Sequence, residues 1–162
     1  MRKAYTKVGD RGWTRDFSGK KLSKDDPKIV IGGKMDSLQS AIDLALLGAK
    51  GRTKKVLEEA RKKLWQSAGE LSCSDRKCVP WPVTETDLTA LEGFIDSLGE
   101  PPKRFLRFGT LQAIRYDECR IRCRELETFL VKPLRAKKLR PSVFRYVNRL
   151  SSLFFMLAYK AL

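Results

Sequence analysis

Apolar residues recur at helical spacing from Met35 to Ala49, where Met35, Leu38, Ile42, Ala45 and Leu46 share one side and Gly51 ends the run. A second stripe, from Arg52 to Leu71, puts Val56, Leu57, Ala60, Leu64, Trp65 and Ala68 together. Residues 72–83, with Pro80 and Pro82, read as a loop. Thr84 or Thr86 can cap a third helix bearing Leu88, Leu91, Phe94, Ile95 and Leu98, which the run Gly99 to Pro102 breaks. The pattern predicts a fourth helix from about Thr110 to about Val131, and then "KPLRAKKLRP" interrupts. A fifth helix starts near Pro141, a good first-turn residue, and beyond Asn148 it turns apolar nearly all round, as a buried helix does. Only Ile29 to Ile31 reads as a strand. The expectation is an all-α single domain over residues 1–162: an antiparallel five-helix bundle with a ferritin-like four-helix core and an extended N-terminal segment.

That segment does not fit the helical pattern. "AYTKVGDRGWT" has no stripe, and Gly9 and Gly12 alternate with cations and short polar side chains. Backbone N–H groups around two glycines can form a concave nest for phosphate oxygens. Thr6 and Thr14 add hydroxyls, and Lys7, Lys21 and Lys24 add charge. A loose basic tail is the ordinary alternative. The segment is not a P-loop, since no G-x-x-x-x-G-K-[ST] occurs.

Charge sharpens this picture. Lys and Arg number 34 against 19 Asp and Glu, a formal charge of +15, which calls for an anionic partner. Residues 1–28 carry a net +5, residues 29–100 a net −1, and residues 101–150 a net +10. If the two basic regions meet, they make one strong anion site; otherwise they are two solvated faces. The chain has no histidine, which excludes His-based catalysis and His-containing metal sites. No run approaches the roughly 20 apolar residues of a membrane span, and Met1-Arg2-Lys3 lacks the apolar stretch of a signal peptide. A cytoplasmic protein without a membrane partner is expected. Cys119 and Cys123 share a helical face, whereas Cys73 and Cys78 flank a polar loop. Their spacings miss the C-x2-C zinc knuckle, so buried thiols for the helical pair and an oxidisable loop pair are expected, with no metal.

In the fourth helix Arg120, Arg124 and Glu127 lie on one face. Such a run is ordinarily a solvated basic face. Cys119 and Cys123, however, precede the arginines by one residue each and set them near the apolar edge. There each guanidinium needs a carboxylate or a phosphate. Asp36 is the candidate carboxylate, and Asn148 is a polar residue set among apolar neighbours.

Several stretches in one chain order, "YTKVGDRGWT", "SGKKLSKDDP", "GGKMDSLQS", "RIRCRELE" and "NRLSSLFFMLA", resemble the PduO-type ATP:corrinoid adenosyltransferases over nearly the whole chain. The resemblance implies a homotrimer with active sites between subunits and an N-terminal segment, residues 1–28, that folds over the triphosphate of ATP. Co(I) of a corrinoid such as cobalamin attacks the ribose C5′, and triphosphate leaves. ATP arrives with Mg²⁺. A corrinoid reductase, or an enzyme that uses adenosylcobalamin, is a further implied partner. Carried over by position, Tyr5, Thr6, Lys7, Gly9, Asp10, Gly12, Thr14, Gly19, Lys21 and Lys24 resemble the ATP-holding opening. Arg124 matches an arginine on the triphosphate, and Arg120 one that pairs with an aspartate of another subunit, where Asp36 stands. Glu127 and Asn148 match polar residues of the nucleotide site, and Phe105 matches a phenylalanine packed below the corrin.

The chain also departs from the pattern. Gly32 replaces a tyrosine, Ser37 a glutamate, Gln39 an asparagine and Ser152 an aspartate. Glu125 stands where a second arginine is common, free to weaken the local field or to pair with a nearby cation, and "LRFG" follows Phe105. Two other expectations remain at this stage: a non-catalytic relative that binds ATP or a corrinoid, and a basic helical module for nucleic acid. The second needs exposed aromatics for stacking, whereas Phe94, Phe144, Phe154 and Phe155 sit in apolar runs.

Overall fold

The first helix begins well before its apolar stripe. Asp26 accepts the amide of Lys28 at 2.9 Å, Pro27 supplies a preset first turn, and α1 then runs Pro27–Leu46. The run Ile29 to Ile31 is therefore helical, a correction of the strand expected there. The computed structural model describes residues 4–5, 7–72, 83–104 and 106–162. The remaining helices among them are α2 (Gly51–Ser72), α3 (Glu85–Ser97), α4 (Leu111–Arg135) and α5 (Pro141–Lys160). Gly51 opens α2 rather than closing α1. Most of the expected loop at 72–83 lies outside the described residues, and so do Cys73 and Cys78.

Thr84, not Thr86, caps α3 in a reciprocal capping box with Asp87. Asp87 also receives Lys63 of α2 at 2.9 Å, so one carboxylate ends a helix and ties it to its neighbour. Thr110 caps α4 through the amide of Ala113. Helix α4 passes through Pro133 and ends four residues later than expected. Proline forfeits only its own N–H there, and the surrounding bonds persist, such as Ala136 N–H to Lys132 O at 3.0 Å.

The helices alternate in direction. Gln112 at the start of α4 donates to Ala45 O near the end of α1, and Cys123 of α4 meets Val147 of α5. Arg145 and Arg149 of α5 bind Glu85 and Glu92 of α3 in the same order, so those two helices run parallel. Gly48 leaves room for that Gln112 contact, because a Cβ there would stand 2.1 Å from Gln112 Oε1 and push the amide aside. The core contains Met35, Leu38 and Ile42 of α1, Leu57 and Leu64 of α2, Leu126 and Leu130 of α4, and Leu150, Leu153 and Phe154 of α5. Trp65, expected inside, is 70% exposed. It lies one residue beyond Leu64 and is turned about 100° away from the stripe.

The N-terminal segment carries the only strands among the described residues. These are β1 (Trp13–Arg15) and β2 (Lys21–Ser23), which pair antiparallel with Thr14 opposite Leu22. Regular structure was not expected in this segment.

Candidate functional site

Most of the described residues of the expected site fall in two polar assemblies. The first is built on the hairpin. Asp16 ties its turn by accepting Ser18 Oγ at 2.7 Å and the Lys20 amide at 2.9 Å, and Gly19 takes the positive φ of 83° that the turn needs. The Ser18 hydroxyl leads the interactions that hold the Asp16 carboxyl below its usual range. Ahead of β1 the chain makes two tight turns, with Asp10 N–H on Lys7 O and Gly12 N–H on Gly9 O. Lys7 and Gly12 both have positive φ, 59° and 78°. The Lys24 amide then closes onto Gly12 O at 2.9 Å, and its ammonium lies 3.1 Å from where a Gly9 Cβ would stand.

The expected nest is thus narrower than a run of free amides. Asp10 and Gly12 spend theirs on turns, whereas Gly9 and Arg11 donate to no partner among the described residues. These turns bring Gly9, Gly12 and Lys24 together, with the Lys7 backbone at their start. Thr14 sits half-buried in β1, Lys21 lies 4.7 Å from the centre of the Trp13 ring, and Tyr5 and Asp10 are exposed. Thr6 lies outside the described residues.

The second assembly is a cleft of about 430 Å³ between α3, α4 and α5. Arg120 and Arg124 line it with Ser151, Ser152, Phe155 and Met156. Arg120 is half-buried and bonds Asp117 at 2.7 Å, one turn back on α4. The sequence reading missed Asp117, although an acid three residues before an arginine is a legible helical pair. Arg124 is exposed, a correction of its expected place at the core boundary, and no carboxylate lies within ion-pair distance of it among the described residues. Beside it, Glu127 accepts from Asn148, whose own carbonyl accepts from Arg149 at 3.1 Å. Glu125 is bound by Lys34 of α1, so of the two alternatives it pairs with a nearby cation.

The two assemblies do not share a wall. Among the described residues, the arginine cleft contains nothing from residues 4–24. The hairpin instead faces the end of α4 across a separate cleft of about 890 Å³, lined by Lys20, Leu22, Lys132, Lys137 and Lys138 among others. So the two basic regions of the sequence do meet, but not at Arg120 and Arg124. Asp36 is exposed on α1 and makes no ion pair among the described residues. Phe105 lies outside them.

The helical thiols are buried, and Cys123 donates to Val147 O at 2.9 Å. Burial pushes Cys119 up to about 12 and Cys123 well above its ordinary value, so neither is a thiolate near neutrality. Among the described residues no cluster of three Cys, Asp or Glu side chains could hold a metal. Phe94 and Phe154 are buried in the core as the sequence indicated, and Phe144 and Phe155 are half-buried.

Comparison with known proteins finds one family. The cobalamin adenosyltransferase family matches residues 4–161. A corrinoid adenosyltransferase PduO of Citrobacter freundii is 32% identical over 95% of this chain and 48% of its own. The chain thus spans about half the length of that relative, and of the Salmonella typhimurium PduO, 30% identical. A shorter corrinoid adenosyltransferase of Citrobacter freundii is 31% identical and matched over 94% of its length. Among solved structures, a variant PduO-type ATP:corrinoid adenosyltransferase from Lactobacillus reuteri, complexed with cobalamin and ATP, superposes with a TM-score of 0.84. It is 27% identical, covering 98% of this chain and 93% of that one.

Proposed function

This chain belongs to the cobalamin adenosyltransferase family, and on that premise we propose that it transfers the 5′-deoxyadenosyl group of ATP to Co(I) of a corrinoid. The cobalt–carbon bond forms as C5′–O breaks, and triphosphate leaves with the bonding pair. The observation that carries this reading is a pair of complementary half-sites. One is a glycine–lysine cradle on the hairpin, and the other is the guanidinium of Arg124 on a cleft, without an ion-pair partner among the described residues.

The reacting electrons belong to cobalt, so the protein needs neither histidine nor a nucleophile of its own. Its work is to position C5′ and to neutralise the leaving triphosphate. Lys7, Lys24 and the Gly9 amide hold phosphates from one side, with Lys21 and Thr14 behind them, and Arg124 holds them from the other. Arg120, fixed in its rotamer by Asp117, stands one turn away. Phe105 is assigned below the corrin ring by its sequence match. The described residues do not fit a protein-held Mg²⁺ site. Magnesium enters on the phosphates of ATP, as is usual for an ion that keeps most of its waters.

Because the half-sites sit on different walls of one chain, the reading joins them across subunits of a homotrimer. Exposed Leu44 on α1 and Leu47 just after it, with Leu111, Ile114 and Ile121 on α4, supply an apolar face for such contact. Asp36 then meets Arg120 of a neighbouring subunit. No helix among the described residues is long and apolar enough to cross a membrane, and a cytoplasmic setting suits a reaction that consumes ATP. The test is to mix the protein with chemically reduced cob(I)alamin and Mg-ATP and follow the visible spectrum. Adenosylcobalamin with an equivalent of triphosphate is the expected outcome. Absence of product from protein that binds ATP would reject the transfer and leave a binding role.

A further inference from the structure

Arg124 is flanked in sequence by Glu125 and, one turn on, by Glu127, yet neither carboxylate reaches it. Arg120 and Arg122 each hold an acid of their own, Asp117 and Glu118, at 2.7 Å. Glu127 is taken by Asn148 on α5. Glu125 is taken by Lys34, which reaches across from α1, with its ammonium 5.6 Å from the centre of the Phe129 ring. We propose that Lys34 is a positioning residue for ATP binding: it captures Glu125 and so keeps a mobile negative charge away from Arg124 and the triphosphate.

The physical case is electrostatic. A carboxylate one residue from the triphosphate-binding arginine points about 100° round the helix, too far to pair with that guanidinium, but its charge still opposes the phosphates. Lys34 removes this effect by neutralising Glu125 on the α1 side of the helix. Its aliphatic stem rests near Phe129, which limits the freedom lost in holding that geometry. Lysine 34 and glutamate 125 therefore act as a unit, and their effects on ATP should not add.

This inference rests on the proposed ATP site, and the experiment separates the two. ATP affinity and steady-state kinetics are measured for wild type, Lys34→Met, Glu125→Gln and the double variant, in low and high salt. Methionine keeps the stem beside Phe129. Lys34→Met should raise Kd and KM for ATP about threefold to fivefold with kcat unchanged, the size of effect a partly exposed charge has. Glu125→Gln should bind ATP as well as wild type or better, and the double variant should match it. The Lys34→Met defect should shrink in ~1 M salt, where charges are screened. A pair that merely pins α1 to α4 would give two impaired single variants, a double variant no better, and no salt effect, and that pattern would overturn the proposal. So would a normal Lys34→Met. If wild type binds no ATP, the proposed function itself fails and this inference falls with it.

Discussion

Arg124 shows what a single residue can reveal in sequence and what it cannot. Its helical register beside Cys123 was legible, whereas the need for a partner, argued from a place at the core boundary, does not follow for an exposed side chain. Its exposure was not legible, because register fixes a direction while the height of the neighbouring helix decides how much water reaches that direction. Arg124→Ala should weaken ATP binding roughly tenfold to a hundredfold, the loss of a charge-assisted hydrogen bond, as calorimetry would show. An affinity within twofold of wild type would remove Arg124 from the phosphate site. The cysteines were read more fully, since two thiols on the apolar side of a packed helix are buried and their anions disfavoured. In a Cys73→Ser/Cys78→Ser background, Cys119 and Cys123 should resist a thiol reagent at neutral pH until the protein unfolds. Labelling of the native protein would contradict their burial.

At the scale of elements, stripes of period 3.6 located all five helices, and errors fell where a residue's local preference opposed its context. The β-branched run Ile29 to Ile31 suggested a strand, but Asp26 and Pro27 had already committed the chain to a helical start. The hairpin was missed for the opposite reason. Its strands are three residues each, too short for alternation to register, and the turn is held by Asp16. Packing against α2 rests partly on Asp87. Burial alone would raise its carboxyl, but hydrogen bonds from Lys63 and Thr84 outweigh that, and the net shift is downward. A depressed folded value stabilises the protein above the unfolded one, so this contribution should be complete above about pH 4 and fade as pH falls through the folded value. Asp87→Asn should cost about 1–3 kcal/mol near neutrality and flatten the acid limb of a urea-stability profile. An unchanged acid limb would show that Asp87 does not drive it. Between α1 and α4, Gly48→Ala should cost about 1 kcal/mol by displacing Gln112 from Ala45 O, measurable as a lower urea midpoint.

At the scale of the molecule, the sequence singled out the glycine–lysine opening and the arginine face as candidates for binding phosphate but could not place them relative to each other. Each is specified locally, whereas their separation depends on how a hairpin docks on a bundle. The hairpin faces the end of α4, and the arginines face α3 and α5. On the proposed reading, a complete ATP site joins the hairpin of one chain to the arginine of another. Asp36→Asn, which in this account removes the partner that a neighbouring subunit offers Arg120 and leaves it Asp117 alone, should lower the oligomer mass in light scattering. The most direct test of the shared site is complementation. Lys24→Ala and Arg124→Ala chains, each impaired alone, are unfolded together, refolded as a mixture and assayed for adenosylcobalamin formation. Random assembly leaves intact hairpin–arginine pairings in roughly a quarter of interfaces, so the mixture should recover about that share of wild-type turnover. If the refolded mixture stays at the average of the two separate variants while wild type refolds to full activity, each chain carries its own complete site and the account is wrong.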